Sequence, residues 1–334
     1  MSLSGKKMKY KLVNFCEVDK HAIRSYCALH NVDESLNLGD ITNVNISKLP
    51  RCTLITHGSP CQDFSSLGLE KGGDEYKETR SSLIWNSVKI IQHCNPKFVI
   101  WENVENVLNK NHIHNFKKYI FKMKSFGYES YYKVLNAKDY GIPQSRSRLF
   151  CISIRKDIDC GYDFPSTITL NTTLLDYIDL SNKENLYGII PENNHQEWKQ
   201  EMYKMYIKAS NGIVSGVYTN QSKSFGYRPP LNHLAKTIKA LASDCGFVYG
   251  EQVRNFTSKE SLLLMGYSID EYNRMIQVVS EQKIKNQAGN SIVVNVIYEI
   301  FRQLQILYPD DFKDLDTISL FSGIGAFEKG LERL

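Results

Sequence analysis

Apolar runs alternate with amphipathic stretches along the first half of the chain. Short runs of mostly apolar residues predict buried strands, and apolar residues spaced three or four apart predict helices. The predicted strands are Lys11–Cys16, Cys52–His57, Lys97–Trp101, Tyr128–Asn136 and Arg148–Ile154, and the predicted helices are Lys20–His30, Ser82–His93 and Asn115–Phe126. Because strands that alternate with helices usually form βαβ units, this order predicts a parallel sheet covered by helices.

The pattern weakens in the second half of the chain. From Asp157 to about Tyr227 the sequence is polar and rich in Asn, Lys and Tyr, and no strong period survives. We interpret this stretch as a separate small module with long loops. Helices are predicted again at Ser258–Met265 and Ser291–Leu307.

The last residues form an unusual ending. Thr317–Leu320 is a predicted strand, Phe321 to Gly325 a Gly-rich turn, and Ala326–Leu334 a predicted helix. A strand, a Gly-rich turn and a helix normally begin a nucleotide-binding sheet, and the next strand then ends in an acidic residue that holds ribose hydroxyls. No further strand follows here, but Glu17 ends the strand Lys11–Cys16. The site is therefore complete only if the two ends of the chain are neighbours.

Composition narrows the class of protein. The 334 residues are 42% hydrophobic, which suits one large domain or a large and a small one. The net charge of +5 suits a polyanionic partner without establishing one. Eight cysteines show neither a CxxC pair nor zinc spacing, so we expect neither a metal site nor a disulfide framework. No signal peptide or long apolar run is present, and a cytoplasmic protein away from membranes is expected.

The clearest candidate for chemistry is Cys61, within Gly58-Ser59-Pro60-Cys61-Gln62. This segment directly follows a predicted strand, at the carboxyl edge of the sheet where the sites of α/β proteins form. A cysteine there acts as a nucleophile if its thiolate is favoured and a substrate reaches it, although most cysteines are only small buried side chains. Glu102 ends another predicted strand and places a carboxyl group at the same edge.

Alternate polar residues mark a third segment. Gln144, Arg146 and Arg148 share one face if the segment is extended. Taken alone, two arginines in this pattern are more often a solvated surface pair.

Together these segments resemble the bacterial DNA (cytosine-5)-methyltransferase family over nearly the whole chain. In the family's numbering of motifs, Phe321-Ser322-Gly323-Ile324-Gly325 resembles the first, Glu17-Val18-Asp19 the second, Gly39-Asp40-Ile41 the third, Pro60-Cys61-Gln62 the catalytic fourth, Glu102-Asn103-Val104 the sixth, Gln144 to Arg148 the eighth, Arg228 to Ala240 the ninth and Gly289-Asn290-Ser291-Ile292 the tenth. The order runs from the second motif to the tenth and then the first, as in a circularly permuted chain. Ser319 stands where the family often has Asp, which leaves one cofactor contact open.

The resemblance implies a Rossmann-like S-adenosylmethionine-dependent methyltransferase sheet with a second, smaller target-recognition domain. Residues 8–156 would form the first part of the catalytic domain, residues 157–235 the target recognition region, and residues 236–334 the second part of the catalytic domain. The expected partner is double-stranded DNA, bound by a monomer that is encoded by a bacterium or phage. The resemblance leaves open whether a companion restriction endonuclease exists.

The resemblance also implies a mechanism. Cys61 would attack C6 of a cytosine flipped out of the duplex, and Glu102 would supply a proton at N3. Arg148, with Arg146 beside it, would hold the pyrimidine carbonyl. The segment Gln62–Arg80 would be a mobile loop that closes over the base and the DNA.

The same resemblance assigns the binding residues. S-adenosyl-L-methionine, which leaves as S-adenosyl-L-homocysteine, would lie on the turn Phe321, Ser322, Gly323, Ile324 and Gly325, with Pro60 nearby. Glu17 would bind the ribose, Asp40 the adenine amino group, and Val18 and Ile41 the faces of the adenine. Asn290 and Ile292 would contact the methionine end. The DNA would be contacted by Gln62, Ser65, Gln144, Thr237 and Arg254.

Three alternatives remain open at this point. A tRNA cytosine-5 methyltransferase would share the catalytic residues, but that branch typically carries a Cys-Phe-Thr tripeptide that is absent from this sequence. A DNA-binding protein that has lost catalysis has no need of an intact Cys61, Glu102 and Arg148. A Rossmann-type oxidoreductase would give Pro60-Cys61-Gln62 no purpose.

Overall fold

Six strands form the main sheet of the protein. The computed structural model describes residues 9–60, 80–181, 214–217, 228–240, 245–249 and 252–334. The six strands are β1 (Lys9–Cys16), β2 (Leu54–His57), β3 (Phe98–Val104), β4 (Tyr128–Asn136), β6 (Ser147–Arg155) and β12 (Asp314–Leu320). They lie in the order β1, β12, β2, β3, β6, β4.

The α-helices and the shorter strands are the other main elements of the described residues, which also include short 3-10 helices. The helices are α1 (Lys20–His30), α2 (Ile84–Cys94), α3 (Ile113–Ser125), α4 (Ser258–Leu263), α5 (Ile269–Ile276), α6 (Glu281–Asn290), α7 (Val294–Leu307) and α8 (Ala326–Glu332). The shorter strands are β5 (Gln144–Ser145), β7 (Val214–Val217), β8 (Arg228–Asn232), β9 (Ala235–Lys236), β10 (Cys245–Tyr249) and β11 (Gln252–Asn255).

The main sheet is mixed, which corrects the expectation of a parallel sheet. β1, β12, β2 and β3 pair in parallel with one another in that order, whereas β6 runs antiparallel to β3. A parallel neighbour needs a crossover of a dozen or more residues, usually a helix. The chain has no long helix between the end of β4 at Asn136 and the start of β6 at Ser147. The chain therefore turns back after β4, and β6 enters the sheet in the opposite direction.

The sheet is covered by helices whose apolar faces match its buried strands. Asp19 caps the N-terminus of α1 by accepting hydrogen bonds from the N–H groups of His21 and Ala22, which fixes where this helix begins. Both α1 and α2 end at an asparagine in the left-handed region, Asn31 and Asn95. The core under α2 and α3 includes Trp85, Ile91, Tyr119, Met123, Ile55, Val99 and Trp101.

The two ends of the described chain meet at β1. Its neighbour β12 comes from the other end of the chain, with Lys9 paired to Asp314 and Cys16 to Leu320. The Tyr10 hydroxyl also donates a hydrogen bond to Glu332 on α8 at 3.1 Å. The sheet therefore has β12 as an interior strand, although β12 is the last strand in sequence.

The chain divides into two compact units. The first consists of Met1–Leu135, Ser147–Ser166 and Ile297–Leu334, and the second of Asn136–Arg146 and Thr167–Val296. The second unit contains an antiparallel sheet in the order β11, β10, β7, β8 and the short parallel pair of β5 and β9. The sequence analysis does not predict helices α5 and α6, which also belong to this unit; both are short, and the apolar side chains that they bury are Met275, Ile284 and Ala288. The boundaries of the recognition region, residues 157–235, remain a prediction.

No helix within the described ranges is long and apolar enough to cross a membrane.

Close packing of α8 on α7 generates a prediction at Gly330. A Cβ atom at this position would lie 2.4 Å from Cγ2 of Ile297 and 3.1 Å from Cδ2 of Phe301. Alanine favours a helix over glycine by about 1 kcal/mol, but overpacking a core costs about 1–3 kcal/mol. We expect Gly330→Ala to lower the free energy of unfolding by about 1 kcal/mol in urea denaturation. Arg24→Ala, at an exposed position of α1, is the control and should change it by less than about 0.5 kcal/mol. A more stable Gly330→Ala variant would mean that α7 shifts to accommodate the added methyl group at little cost, which would contradict the expectation.

Candidate active site

One row of paired residues crosses the main sheet. Cys16 pairs with Leu320, Leu320 with His57, and His57 with Trp101. The four strands that carry this row are parallel, so the residues that follow it lie at one edge, about 4.8 Å apart from strand to strand. Those residues are Glu17, Phe321, Gly58 and Glu102. The register thus brings four of the predicted motifs to the same edge of the sheet.

The turn after β12 has an unusual backbone. Phe321, a non-glycine residue, has a φ of 55°, and Gly323 and Gly325 have φ values of 56° and 79°. A bulky side chain in this left-handed region costs free energy, and such outliers concentrate at ligand sites. The space at Gly323 is open, since a Cβ atom there would meet nothing within 4 Å.

Glu17 joins the end of β1 to this turn. Its Oε2 accepts a hydrogen bond from the Gly323 N–H at 2.9 Å, and its Oε1 accepts from the N–H groups of Val18 and Asp19. The carboxylate is therefore fixed by three backbone donors from two segments. A carboxylate accepts about four hydrogen bonds, so Oε2 keeps capacity for a ligand hydroxyl. The Val18 side chain beside it is 68% exposed, which is high for an apolar residue.

Hydrogen bonds of Ser322 and Ser319 connect the turn to the strands β1, β12 and β2. The Ser322 hydroxyl accepts a hydrogen bond from the Cys16 N–H at 3.2 Å and donates to the Ser319 carbonyl at 2.9 Å. Ser319 occupies the position where the resembled family often has Asp, and its hydroxyl is fully buried and accepts from Thr56 Oγ1 at 3.3 Å. At this position the chain therefore makes a contact between β12 and β2.

The segment with Asp40 and Ile41 lies beside the end of β1. Asn37 fixes it, because its side chain accepts from the N–H groups of Glu17 and Gly39 and donates to the Glu17 carbonyl. Asp40 accepts from the backbone N–H and the hydroxyl of Thr42, and the first of these bonds, then the second, lowers the pKa of its carboxyl. Ile41 is 5% exposed.

The segment that leads to Cys61 is anchored to β3. Ser59 accepts at its hydroxyl from Trp101 Nε1 at 3.1 Å and from Asn103 Nδ2 at 3.2 Å. The Asn103 amide also donates to the Ser59 carbonyl at 3.1 Å, and the Gly58 N–H donates to the Leu320 carbonyl at 3.4 Å. The chain is thus fixed up to Pro60. Cys61, Gln62, Ser65 and the predicted loop to residue 79 lie outside the described residues.

Glu102 and Arg148 form an ion pair at this edge. Nε of Arg148 lies 3.2 Å from Oε1 of Glu102, and their side chains are 18% and 12% exposed. The strand register explains the contact. Glu102 pairs with Phe150 in the antiparallel ladder of β3 and β6, so Arg148, two residues earlier, is its diagonal neighbour on the same face.

Arg146 and Gln144 bind backbone within the second unit. The Arg146 guanidinium donates to the carbonyls of Ile238, Gly289 and Ser291 at 2.6–3.1 Å. Gln144 is fully buried, donates to the Leu264 carbonyl at 2.7 Å and accepts from the Ile238 N–H at 3.0 Å. The substrate contacts predicted for these two side chains stay predictions, and the geometry favours positioning roles.

The remaining predicted residues are also in the second unit. Thr237 donates its hydroxyl to the Ser145 carbonyl at 2.7 Å. Asn290 is exposed at the end of α6, and Ile292 is 9% exposed. Gly289 is required here, because a Cβ atom would lie 2.0 Å from the Ala240 N atom. The Arg254 backbone pairs with Phe247, and its side chain lies outside the described residues.

Sequence reasoning missed three residues that organise this edge, namely Asn37, Ser59 and Asn103. The sequence analysis names Ser59 and Asn103 only as parts of motifs, and the two hydrogen bonds that Asn103 donates to Ser59 give both residues a positioning role. A buried amide next to a candidate acid was a usable signal, whereas nothing marked Asn37 among the many asparagines of the chain. Across the described part of the chain no group of three or more His, Cys, Asp or Glu side chains has the geometry to hold a metal ion.

The chain resembles known proteins in sequence and in fold. Residues 1–306 match the model of the family described as C-5 cytosine-specific DNA methylase. The Type II methyltransferase M2.ScrFI of Lactococcus lactis subsp. cremoris is 34% identical over 270 residues, which are 80% of this chain and 71% of that protein. The orphan methyltransferase M.SPRI of Bacillus phage SPR is 40% identical over 149 residues, but these are 45% of this chain and only 33% of the phage protein.

A solved structure agrees in fold. The S. pombe Dnmt2 methyltransferase has a TM-score of 0.61 with 18% sequence identity, over 89% of this chain and 92% of that one. At this level of identity the likeness concerns the fold, and it supports a Rossmann-like methyltransferase sheet.

His57, which directly precedes the anchored segment, gives a prediction for stability. Complete burial lowers the pKa of this imidazole to about 3, while an unfolded histidine titrates near 6.5. As the pH falls, the unfolded chain therefore binds a proton at this residue before the folded chain does. This group alone lowers the free energy of unfolding by about 2 kcal/mol between pH 7.5 and pH 5. We expect His57→Gln, which keeps a partner for the Tyr119 hydroxyl, to lose less stability than wild type on this acidification. Urea unfolding at both pH values measures it.

The control is His93→Gln, because His93 is an exposed histidine. It should keep the acid sensitivity of the wild type. Equal pH dependence in wild type and His57→Gln would contradict a neutral buried imidazole.

Proposed function

This chain belongs to the C-5 cytosine-specific DNA methylase family, and we propose that it is a DNA (cytosine-5)-methyltransferase that works through a covalent adduct with Cys61. The observation that carries the proposal is the shared edge of the sheet, where the segment leading to Cys61, the pair of Glu102 and Arg148, and the turn held by Glu17 end side by side.

The reaction needs a nucleophile because C5 of cytosine is itself a poor one. The Cys61 thiolate attacks C6, and a proton from Glu102 at N3 prevents negative charge from building on the ring. C5 is then an enamine carbon that takes the methyl group. A base removes the C5 proton, the electrons of that bond re-form the C5–C6 double bond, Cys61 leaves as thiolate, and the N3 proton returns to Glu102. The target carbon lies inside the duplex, so the cytosine is flipped out before attack.

The contacts of Arg148 and Ser59 support these roles. Arg148 is bound to Glu102 through Nε and to the Ser147 carbonyl through Nη1, so it orients the carboxyl group and offers Nη2 to the pyrimidine carbonyl. Asn103 and Trp101 fix Ser59, and therefore fix the direction from which the chain reaches Cys61. Positioning of this kind lowers the barrier because the reacting atoms need little reorganisation.

The turn fits S-adenosyl-L-methionine, the donor that supplies an electrophilic methyl group. The open space at Gly323 lets a ligand approach the backbone, and Oε2 of Glu17 has capacity left for a ribose hydroxyl. The exposed Val18 offers an apolar surface for the adenine, with Asp40 and Ile41 on the neighbouring segment. Asn290 and Ile292 are proposed for the methionine end.

Double-stranded DNA is the proposed partner, read by the region of residues 157–235. Arg254, Thr237, Gln62 and Ser65 are proposed contacts. The Type II relative from Lactococcus lactis favours a restriction-modification setting with a companion endonuclease, and a monomer is proposed as the active form.

We further infer that the motif order is circularly permuted. β12 and its turn supply the first motif, yet they follow the residues 1–306 that match the family model. In space β12 lies between β1 and β2, and Glu17 grips Gly323 across the two ends of the chain. These placements support a permuted order, in which the first motif stands at the end of the sequence and beside the second motif in space.

Replacement of Cys61 tests the function. We expect bisulfite sequencing of DNA from cells that express the protein to reveal cytosine methylation at one sequence context. Cys61→Ala should abolish it, because no other thiolate is proposed to form the adduct. The purified enzyme should also form a stable adduct with duplex DNA that carries 5-fluorocytosine at that site, because fluorine prevents the final elimination.

Circular dichroism controls for the fold of Cys61→Ala. Methylation by this variant, or the absence of an adduct with the wild-type enzyme on a methylatable site, would contradict covalent catalysis by Cys61. Methylation confined to tRNA would favour the RNA-directed alternative.

Reordering the chain tests the permutation. Joining Leu334 to the N-terminal segment with a short linker and opening the chain after Pro309, before β12 begins, should give a folded enzyme that methylates the same sequence. The packed core does not depend on which loop is cut, so we expect stability to change only through loop entropy, by about 1 kcal/mol. Bisulfite sequencing and urea unfolding measure the two properties, and the same reordering with Cys61→Ala is the control. A reordered chain that fails to fold with linkers of several lengths would contradict the inference.

A further inference from the structure

A buried polar cluster lies beneath the Gly-rich turn, among side chains that the proposed mechanism does not use. Its centre is His30, the last residue of α1, whose side chain is 1% exposed. Nε2 of His30 lies 3.1 Å from the carbonyl oxygen of Ile324, which belongs to the turn, and Nδ1 lies 2.6 Å from Oε1 of Glu332 on α8. One imidazole therefore links the turn to the helix that follows it.

The ring also fills the space under the turn. A Cβ atom at Gly325 would lie 2.0 Å from Nε2 of His30, and the φ of Gly325 is +79°. On the other side the Tyr26 ring lies 4.6 Å from the His30 ring and stacks on Phe15. The imidazole is thus enclosed between α1 and the turn.

Its two partners determine the form of the ring. A carbonyl oxygen only accepts, so Nε2 of His30 must carry a hydrogen. Glu332 also accepts from the Tyr10 hydroxyl at 3.1 Å and forms an ion pair with Lys329, which is the environment of an ionised carboxylate. Nδ1 must then donate as well. Only the imidazolium form carries a hydrogen on both nitrogens.

The surrounding charges are consistent with this assignment. Burial opposes ionisation of Glu332, but the hydrogen bond and charge of His30 and those of Lys329 outweigh it and lower the pKa of the carboxyl to about 2. The other titratable groups of the cluster are Tyr10 on β1, Tyr26 on α1 and the buried Glu328 on α8. Burial first, and then the charges of Glu332 and Glu328, hold the pKa of Tyr10 above its usual value. Burial and the charge of Glu328 do the same for the pKa of Tyr26.

We propose that His30 is a positioning residue for binding of the methyl donor: as an imidazolium it ties the Ile324 carbonyl to Glu332 and so holds the turn in the shape that Glu17 and Gly323 offer to the cofactor. The inference rests on the proposed function, since it assigns a support to the same cofactor site. Gly323 precedes Ile324 directly, and its N–H donates to Glu17 at 2.9 Å. Release of the Ile324 carbonyl therefore loosens the segment on which the Glu17 carboxylate is held.

Binding of S-adenosylhomocysteine, measured by titration calorimetry without DNA, tests this role. We expect His30→Phe, which keeps a ring but removes both donors, to raise the dissociation constant about tenfold or more, because two hydrogen bonds are lost and one involves a charged pair. His30→Gln, which keeps one donor, should give a smaller increase. In steady-state methylation, KM for S-adenosylmethionine should rise while KM for DNA stays within about twofold.

A charge-removing variant separates positioning from simple packing. Glu332→Gln keeps the size of the side chain that Nδ1 of His30 contacts but removes its charge, so it should also raise the dissociation constant for S-adenosylhomocysteine. A role in packing alone would leave the affinity of this variant unchanged.

His93→Gln is the matched control, because His93 also lies near the end of a helix and contacts a backbone carbonyl, that of Leu49 at 3.2 Å, away from the turn. It should bind like wild type. If wild type itself does not bind S-adenosylhomocysteine, the proposed function fails. If wild type binds and His30→Phe binds equally well, the positioning role is overturned. Should His30→Phe not fold, unchanged affinity in both His30→Gln and Glu332→Gln would overturn it.

Discussion

Backbone hydrogen bonding on both edges of β12 is the constraint on which the site depends. This strand pairs in parallel with β1 on one side and with β2 on the other, in a register that aligns Cys16, Leu320 and His57. A slip of one residue would turn each side chain of β12 to the opposite face and would move the Phe321 turn away from Glu17. The glycine turn, the carboxylate of Glu17 and the segment toward Cys61 therefore share a single geometric reference, which is the ladder of the sheet itself.

Strand β3, which lies next to β2 in the sheet, serves two parts of the proposed chemistry. Trp101 and Asn103 hold Ser59, while Glu102 between them pairs with Arg148 on β6. Successive residues of a strand point to opposite faces, so β3 supports the segment before Cys61 with one face and presents a carboxyl group with the other. The proposed acid, Glu102, and the segment that leads to the proposed nucleophile are thereby placed by the same short piece of backbone, which suits a reaction that tolerates little misplacement.

Much of this arrangement could be predicted from the sequence, and the failures have physical causes. Apolar runs located the strands of the main sheet to within a few residues, and Glu17 indicated that the ends of the chain meet. The direction of β6 could not be predicted from its own residues, because an antiparallel strand buried on both faces has the same apolar pattern as a parallel one. Helices α5 and α6 were missed because both are short and bury only a few apolar side chains, namely Met275, Ile284 and Ala288. The residue roles at the site depend on side-chain contacts that a motif does not contain: Arg146 and Gln144 have the spacing of ligand-facing residues, yet both are bound to backbone carbonyls or N–H groups. The chemical roles of the site residues stay predictions.

The position of β12 in the sheet also affects how the protein forms during translation. Glu17 and Gly323, which are joined by a hydrogen bond in the folded protein, are 306 residues apart in sequence. At about 5–20 residues per second, roughly 15 to 60 s separate the synthesis of β1 from that of its neighbour. During this interval β1 and β2 each lack the partner strand that covers one edge, and an unpaired edge can recruit strands from other chains. A nascent chain of this enzyme is therefore exposed to aggregation for longer than a chain in which the interior strand is made first, and its yield in cells should depend on chaperones that shield those edges.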